Sequence, residues 1–287
     1  MTKIMIMPTK DNLEDILPYT NAILVGLKDM SVNMPDYFTL DEIKKIKNIC
    51  KEKNIEVFVA LNKNMHTKDL EPLNNVLSTI DNLEINGIFY YDISLVKYKE
   101  ELKFNTPLVW SQEHLTTNYA TMNYWYSKDI KYTYVSSEIT LDEIEMINKE
   151  SNMNLIVPIF GYLPMFVSKR NLVNNYKDYF NLKDESFNYE LEKEDRKYPI
   201  DNNNLGTVVY SSSILNGLLE FEKLGNLNIS YVTLNSYRIP NDKFIQVASL
   251  FYKREYRSDE IDNMFSNTDK GFLYKETIYR VKKNEKK

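Results

Sequence analysis

A single cysteine, Cys50, stands in a chain of 287 residues. That scarcity excludes an intramolecular disulfide and denies the chain the four thiolates that normally hold an iron–sulfur cluster. Histidine is nearly as scarce. His66 and His114 are the only two, and with one cysteine they give no ligand spacing for zinc. A hydrolytic triad lacks support as well, because no nucleophile-elbow sequence is present. Glycine numbers only 7, and neither GxxxxGKS/T nor GxGxxG occurs, so no phosphate-cradling loop of the usual kind is encoded. No apolar run approaches the roughly 18–20 residues that span a bilayer. The apolar run in Met1–Pro8 is too short for a signal peptide and reads as a first strand. With disulfides excluded, the default expectation is a cytoplasmic protein with no membrane contact.

What remains is ordinary in bulk. Hydrophobic residues make up 43% and charged residues 27%, enough to bury a full core. A net charge of −5 gives no overall attraction for DNA, RNA or anionic lipid, and leaves only a local basic patch open. The 22 tyrosines offer stacking surfaces for bases, but compositional bias toward Asn, Lys, Ile and Tyr accounts for them equally.

Short β-branched or aromatic runs alternate with helical patterns. The expected strands are Ile4–Met7, Ala22–Val25, Val57–Leu61, Gly87–Tyr91, Leu108–Ser111, Thr133–Ser136, Leu155–Ile159 and Tyr231–Leu234. Several are apolar at nearly every position, as parallel strands covered on both faces are. Thr39-Leu40-Asp41-Glu42 and Thr140-Leu141-Asp142-Glu143 each fit a capping box, Thr at the N-cap and Glu three residues on. Cys50 falls on the apolar face of the first of these helices, as a buried structural thiol would. Asp69–Leu83, Ser94–Leu102, Asn118–Lys128, Asp242–Tyr252 and Ser258–Phe265 are further expected helices. Eight strands separated by helices predict an α/β fold, a (β/α)8 TIM-like barrel. An open doubly wound sheet is the alternative, since the pattern does not report closure.

The repeat breaks once. Residues 161–229 are too long for one connection and form an elaboration between strands seven and eight of a single domain, 1–255. Residues 256–287 are expected to add a C-terminal helix, a turn at Asn267–Gly271, a short strand at Phe272–Val281 and a basic tail.

In a barrel the chemistry sits at the C-terminal ends of the strands. Those ends supply Asn62, Asp92, Glu113, Glu138, Gly161 and Asn235. Asp92, Glu113 and Glu138 follow neighbouring strands and together suit acid–base work or a cation. The alternative is that Asp92 caps a helix and the glutamates pair with nearby cations. Ser168, Lys169 and Arg170 lie in the segment after strand seven, where a guanidinium beside an ammonium suits an anion. A solvated surface pair is the plainer reading.

Phe160-Gly161-x-Leu163-x5-Ser168-Lys169-Arg170-x-Leu172 resembles the central signature of the collagenase-like peptidases, peptidase family U32. Other matches follow the same order: Asn62 with His66, Trp110-Ser111-Gln112-Glu113 with Thr117-Asn118, Glu138 to Ile144, Arg196-x-Tyr198-Pro199 and Gly206-Thr207. Together they cover about residues 1–255. The resemblance implies a barrel-type peptidase domain. It also implies relatives that hydroxylate RNA bases or quinone precursors, often as paired homologous subunits and often with a four-cysteine [4Fe–4S] cluster. Asn62, Ser168, Lys169, Arg170 and Arg196 then become candidates for binding substrate, and Glu113, Glu138 and Asp92 for catalysis.

The departures are consistent with one another. The family's His before the glycine is Phe160, its loop cysteines fall at Pro164 and Asn171, and the Arg before the strand-six Glu is Ser137. The last strand, Tyr231–Asn235, carries no charge. Three expectations follow. The first is a cluster-free, catalytically reduced subunit, a pseudoenzyme without resident cofactor or metal, paired with a homologue. The second is a peptidase, a hydrolase acting on a peptide substrate through the mouth carboxylates. The third is a module that binds RNA or another anionic ligand.

Overall fold

A computed structural model describes residues 1–183, 189–227 and 229–275. The strands run in chain order β1 Lys3–Met7, β2 Ala22–Leu27, β3 Tyr37–Phe38, β4 Glu56–Leu61, β5 Gly87–Tyr90, β6 Leu108–Trp110, β7 Tyr132–Tyr134, β8 Asn154–Ser168, β9 Tyr189–Lys193, β10 Arg196–Asn203, β11 Gly206–Asn216, β12 Tyr231–Asn235 and β13 Thr268–Asp269. The helices are α1 Leu13–Ile16, α2 Leu40–Glu52, α3 Thr67–Asn82, α4 Ser94–Leu102, α5 Tyr119–Ser127, α6 Leu141–Glu150, α7 Leu172–Phe180, α8 Leu218–Asn226, α9 Asn241–Lys253 and α10 Ser258–Met264.

Eight strands, β1, β2, β4, β5, β6, β7, β8 and β12, pair in parallel, and β12 joins both β8 and β1. The barrel is therefore closed, and the open-sheet alternative falls. All eight expected strands are present. Alternation along each strand sends one set of side chains inward: Met5, Met7, Leu24, Phe58, Ala60, Phe89, Val109, Ile156 and Tyr231 fill the lumen. The other set meets the helices in a larger core that includes Ile6, Ile23, Val57, Val59, Ile88 and Trp110. Both faces are dry, which is why these strands read as unbroken apolar runs.

The two capping boxes form. Thr39 N–H donates to Glu42 Oε2 at 2.7 Å and Glu42 N–H to Thr39 Oγ1 at 3.3 Å, and Thr140 with Glu143 repeats the pattern. Cys50 is fully buried on α2, and burial pushes its thiol up to about 11. Among the described residues no helix is long and apolar enough to cross a membrane.

Strand β8 does more than a barrel stave does. Its first half pairs with β7 and β12, and its second half leaves the wall and pairs antiparallel with β11. β11 carries β10, and β10 carries β9, so the long connection is a four-stranded antiparallel flap standing on the barrel mouth.

The departure is set by two local features. A bulge places Pro158 opposite Thr233 and Phe160 opposite Leu234, so β8 has one residue more than β12. Phe160 thereby turns outward onto Phe244, Phe251 and Phe265, with ring centroids 6.2–6.3 Å apart. Gly161 follows at φ +113°, where a Cβ would lie 2.5 Å from the Asn235 carbonyl oxygen, so the chain passes there only without a side chain.

The flap is tied down at its base. Tyr210 stacks on Tyr237 at 4.1 Å, and Arg238 donates to the carbonyls of Tyr189 and Ile200. At the C-terminus the expected turn at Asn267–Gly271 is partly β13, which pairs parallel with Ile214 and Leu215 of β11. Residues 272–275 are turn and bend rather than strand, and the rest of the expected strand lies outside the described residues.

Candidate functional site

The flap overhangs one side of the mouth and encloses a groove of about 270 Å³. Val167, Ser168, Lys169, Asn204 and Leu205 line it from the flap. Asn62, Lys63, Asn64, Lys68 and Asp69 contribute the β4–α3 loop and the start of α3, and Tyr91, Ser111, Glu113 and His114 follow β5 and β6. A smaller recess of about 30 Å³ lies at the top of the lumen and shares Asn62, Ser111 and Glu113 with the groove.

Of the residues expected from the sequence, Asn62, Glu113, Ser168 and Lys169 meet in this groove. Glu138 joins them at one remove, with His114 Nδ1 3.5 Å from its Oε1. Asp92 does not line it: its two oxygens accept from the backbone N–H groups of Met65 and Ser94, both at 2.9 Å. Arg170 is exposed outside the groove, its carbonyl 2.9 Å from the Thr207 hydroxyl, which itself accepts from Leu172 N–H. Arg196 sits in the outer hairpin of the flap, opposite Lys193.

Asn62 lines the wall, but its amide is committed. Its Oδ1 accepts from Val32 N–H and its Nδ2 donates to Val32 O, both at 3.0 Å. That two-point grip fixes the loop presenting Asn33, whose Nδ2 donates to Glu113 Oε1 at 2.6 Å. Asn33 was not foreseeable, since it follows a strand end by several residues and belongs to no motif. Lys63 and Tyr91 were within reach, because each stands within two residues of a strand end.

Glu113 is partly buried. Lost hydration raises its carboxyl to about 7, against a downward pull from the Asn33 bond and His114, while the Glu138 charge adds to the rise. Unfolded, the group titrates near 4.3. From there to about pH 7 the folded chain keeps a proton that the unfolded chain has released, so stability falls as pH rises through that window. Glu113→Gln keeps an acceptor for Asn33 and removes the charge. It is expected to stabilise the fold at pH 8 by roughly 1–3 kcal/mol and far less at pH 4.5. Paired thermal melts at the two pH values check this, and equal shifts at both would refute the burial account.

Asp69 behaves oppositely. Burial opposes its ionisation, yet the His66 N–H and the Lys63 ammonium, 2.8 and 3.1 Å away, together with the charge of Lys169, hold it below the usual carboxylate range. The groove therefore has one carboxylate already neutralised by Lys63 and a second that keeps its proton near neutrality.

The residues do not fit the iron–sulfur cluster that the family resemblance implies. Pro164 has no donor atom, and Asn171 Oδ1 is buried without a hydrogen-bond partner. Cys50 lies in the helix layer. Among the described residues no group of three or more His, Cys, Asp or Glu side chains is placed to hold a metal ion.

Comparison with known proteins agrees with this anatomy. The chain is 26% identical to tRNA hydroxylation protein P2 of Bacillus subtilis (strain 168), over 97% of this chain and all of that protein. It is 20% identical to a collagenase of Porphyromonas gingivalis, over 45% of this chain and 31% of the collagenase. The solved structure of the U32 peptidase Mk0906 superposes with a TM-score of 0.55 at 14% identity, covering 84% of this chain and 95% of that one, which shows a shared fold. The model of peptidase family U32 matches residues 12–284, and the chain belongs to that family.

Proposed function

We propose that this chain acts in the hydroxylation of a tRNA base, as a cluster-free subunit working with a second, homologous member of its family. The observation that carries the reading is the end-to-end match to tRNA hydroxylation protein P2, against a match to under a third of the collagenase. A second relative, tRNA hydroxylation protein P1 of Bacillus subtilis (strain 168), is 18% identical over 54% of this chain and 37% of its own length. The donor set supports a division of labour: with one buried cysteine this chain cannot ligate a four-thiolate cluster, so any such ligands are expected on the partner. Peptide hydrolysis is less well served, because the groove offers Glu113 and His114, with Glu138 behind His114, but among the described residues no activated nucleophile or metal cage.

Deleting the gene in the native host and analysing digested tRNA by mass spectrometry tests the proposal. Loss of one hydroxylated nucleoside, restored by the wild-type gene, is expected, together with co-purification of a U32 homologue. Unchanged tRNA after deletion, with cleavage of gelatin by the purified protein, would point to the peptidase instead.

A further inference from the structure

We propose that the groove beneath the flap accepts one nucleotide extruded from a single-stranded stretch of RNA, its base against Tyr91 and Glu113 and its phosphates on Lys68 and Lys169. The inference rests on the RNA reading above and adds where and how the RNA is held.

Four observations meet here. The first is size: about 270 Å³ is near the lower end of small-molecule sites, room for one nucleoside and far too little for a duplex. An enzyme that modifies a base has to take it out of the stack, so a pocket of single-residue size is what such chemistry requires.

The second is charge. Three lysines line the groove of a chain whose net charge is −5. Lys63 is committed to Asp69, and among the described residues neither Lys68 nor Lys169 has a carboxylate within ion-pair distance. Two ammonium groups outside ion-pair distance of a carboxylate, one on α3 and one on the flap, line the groove. Backbone phosphates are the anions that such paired contacts hold in register.

The third is an aromatic surface. Tyr91 keeps 38% of its surface exposed at the edge of the groove, where Val167 and Leu205 add apolar atoms. An exposed tyrosine beside lysines is the usual platform for an unstacked base.

The fourth is hydrogen-bonding capacity. Glu113 lines the groove with its Oε1 held by Asn33 Nδ2 at 2.6 Å. A carboxyl fixed in place at the groove wall can hydrogen-bond the polar edge of a base.

Fluorescence anisotropy with a labelled, unstructured ten-nucleotide RNA and the corresponding duplex tests the assignment on the full-length chain. The wild type is expected to prefer the single strand at least 10-fold. Combined Lys68→Ala and Lys169→Ala should weaken it by more than 10-fold and flatten the salt dependence by roughly 1.4 in log–log slope, two phosphates at about 0.7 each. Tyr91→Ala should weaken it about 5- to 100-fold with the slope unchanged, and Tyr91→Phe should retain binding. Thermal melts matching the wild type exclude misfolding as the cause.

Sensitivity to the lysines but not to Tyr91 would overturn the nucleotide pocket in favour of a plain anion site. Tight binding indifferent to all three residues would overturn the pocket while leaving the RNA reading intact. No RNA binding by the wild type would overturn the pocket, whereas the tRNA analysis judges the function separately.

Discussion

Replacing Gly161 by valine is expected to abolish the native fold or to cost more than about 4 kcal/mol. Two penalties add at one position. At φ +113° an L-residue is strained wherever it sits, and a Cβ there would lie 2.5 Å from Asn235 O and 2.9 Å from Asn235 Cβ. Relief would require β8 to part from β12, the seam that closes the barrel. Nothing flexible stands in the way to yield, because the nearest obstacle is backbone. Denaturant unfolding followed by tryptophan fluorescence measures the effect, and a wild-type midpoint would refute this account of how the strand leaves the wall. Gly206→Val makes an instructive companion, since its Cβ would meet Ser168 O at 2.0 Å at φ +144°. The damage there falls on the flap alone and should leave most barrel stability in place.

Phe160→Ala is the second large effect, expected at about 3–5 kcal/mol for a fully buried aromatic whose neighbours cannot collapse inward. Its ring lies among Phe244, Phe251 and Phe265, and two of those contacts anchor α9 to the barrel. Phe160→His, the residue the family resemblance implies at this position, is expected to lose at least half as much. A neutral imidazole in that aromatic nest would have buried nitrogens without partners. Thermal and chemical denaturation of both variants check this. A His variant as stable as wild type would mean that the aromatic cluster is loosely packed.

The eight staves were legible because burial on both faces leaves an unmistakable run, as in Val57–Leu61 and Leu155–Ile159. The Thr39 and Thr140 caps were legible because the reciprocal bond needs a hydroxyl and a carboxylate three residues apart. The flap was not. β9 is exposed along nearly all its length, with Glu190, Glu192 and Lys193 in solvent, and α7 buries none of its residues. A reading that works through burial finds nothing to register in such segments. α8 was missed for another reason: its N-cap is Gly217, which has no capping side chain, although Leu218, Phe221 and Leu224 are buried at helical spacing.

At the site, strand ends directed attention to Asn62 and Glu113, which line the groove, and to Asp92, which does not, but gave no sign of what their side chains do. Asn62 and Asp92 spend their polar atoms on neighbouring backbone, a commitment that residue type alone does not reveal. Lys169 reaches the groove only because β8 continues past the wall, so its place depends on topology rather than motif. Lys68 is an ordinary exposed lysine in sequence, given meaning by what the flap brings near it.

The 15-residue length of β8 has a mechanical consequence. A strand that is first a stave and then a flap strand behaves as a lever whose fulcrum is the bulge at Pro158–Phe160. Force applied at the end of β8, where Ser168 pairs with Thr207 beside the β10–β11 hairpin turn at Asn204–Leu205, passes through one unbroken strand to the staple between β8 and β12. Payloads grafted at that hairpin load the lever at its far end, whereas a break anywhere in Gly161–Ser168 would disconnect the handle from the vessel it covers.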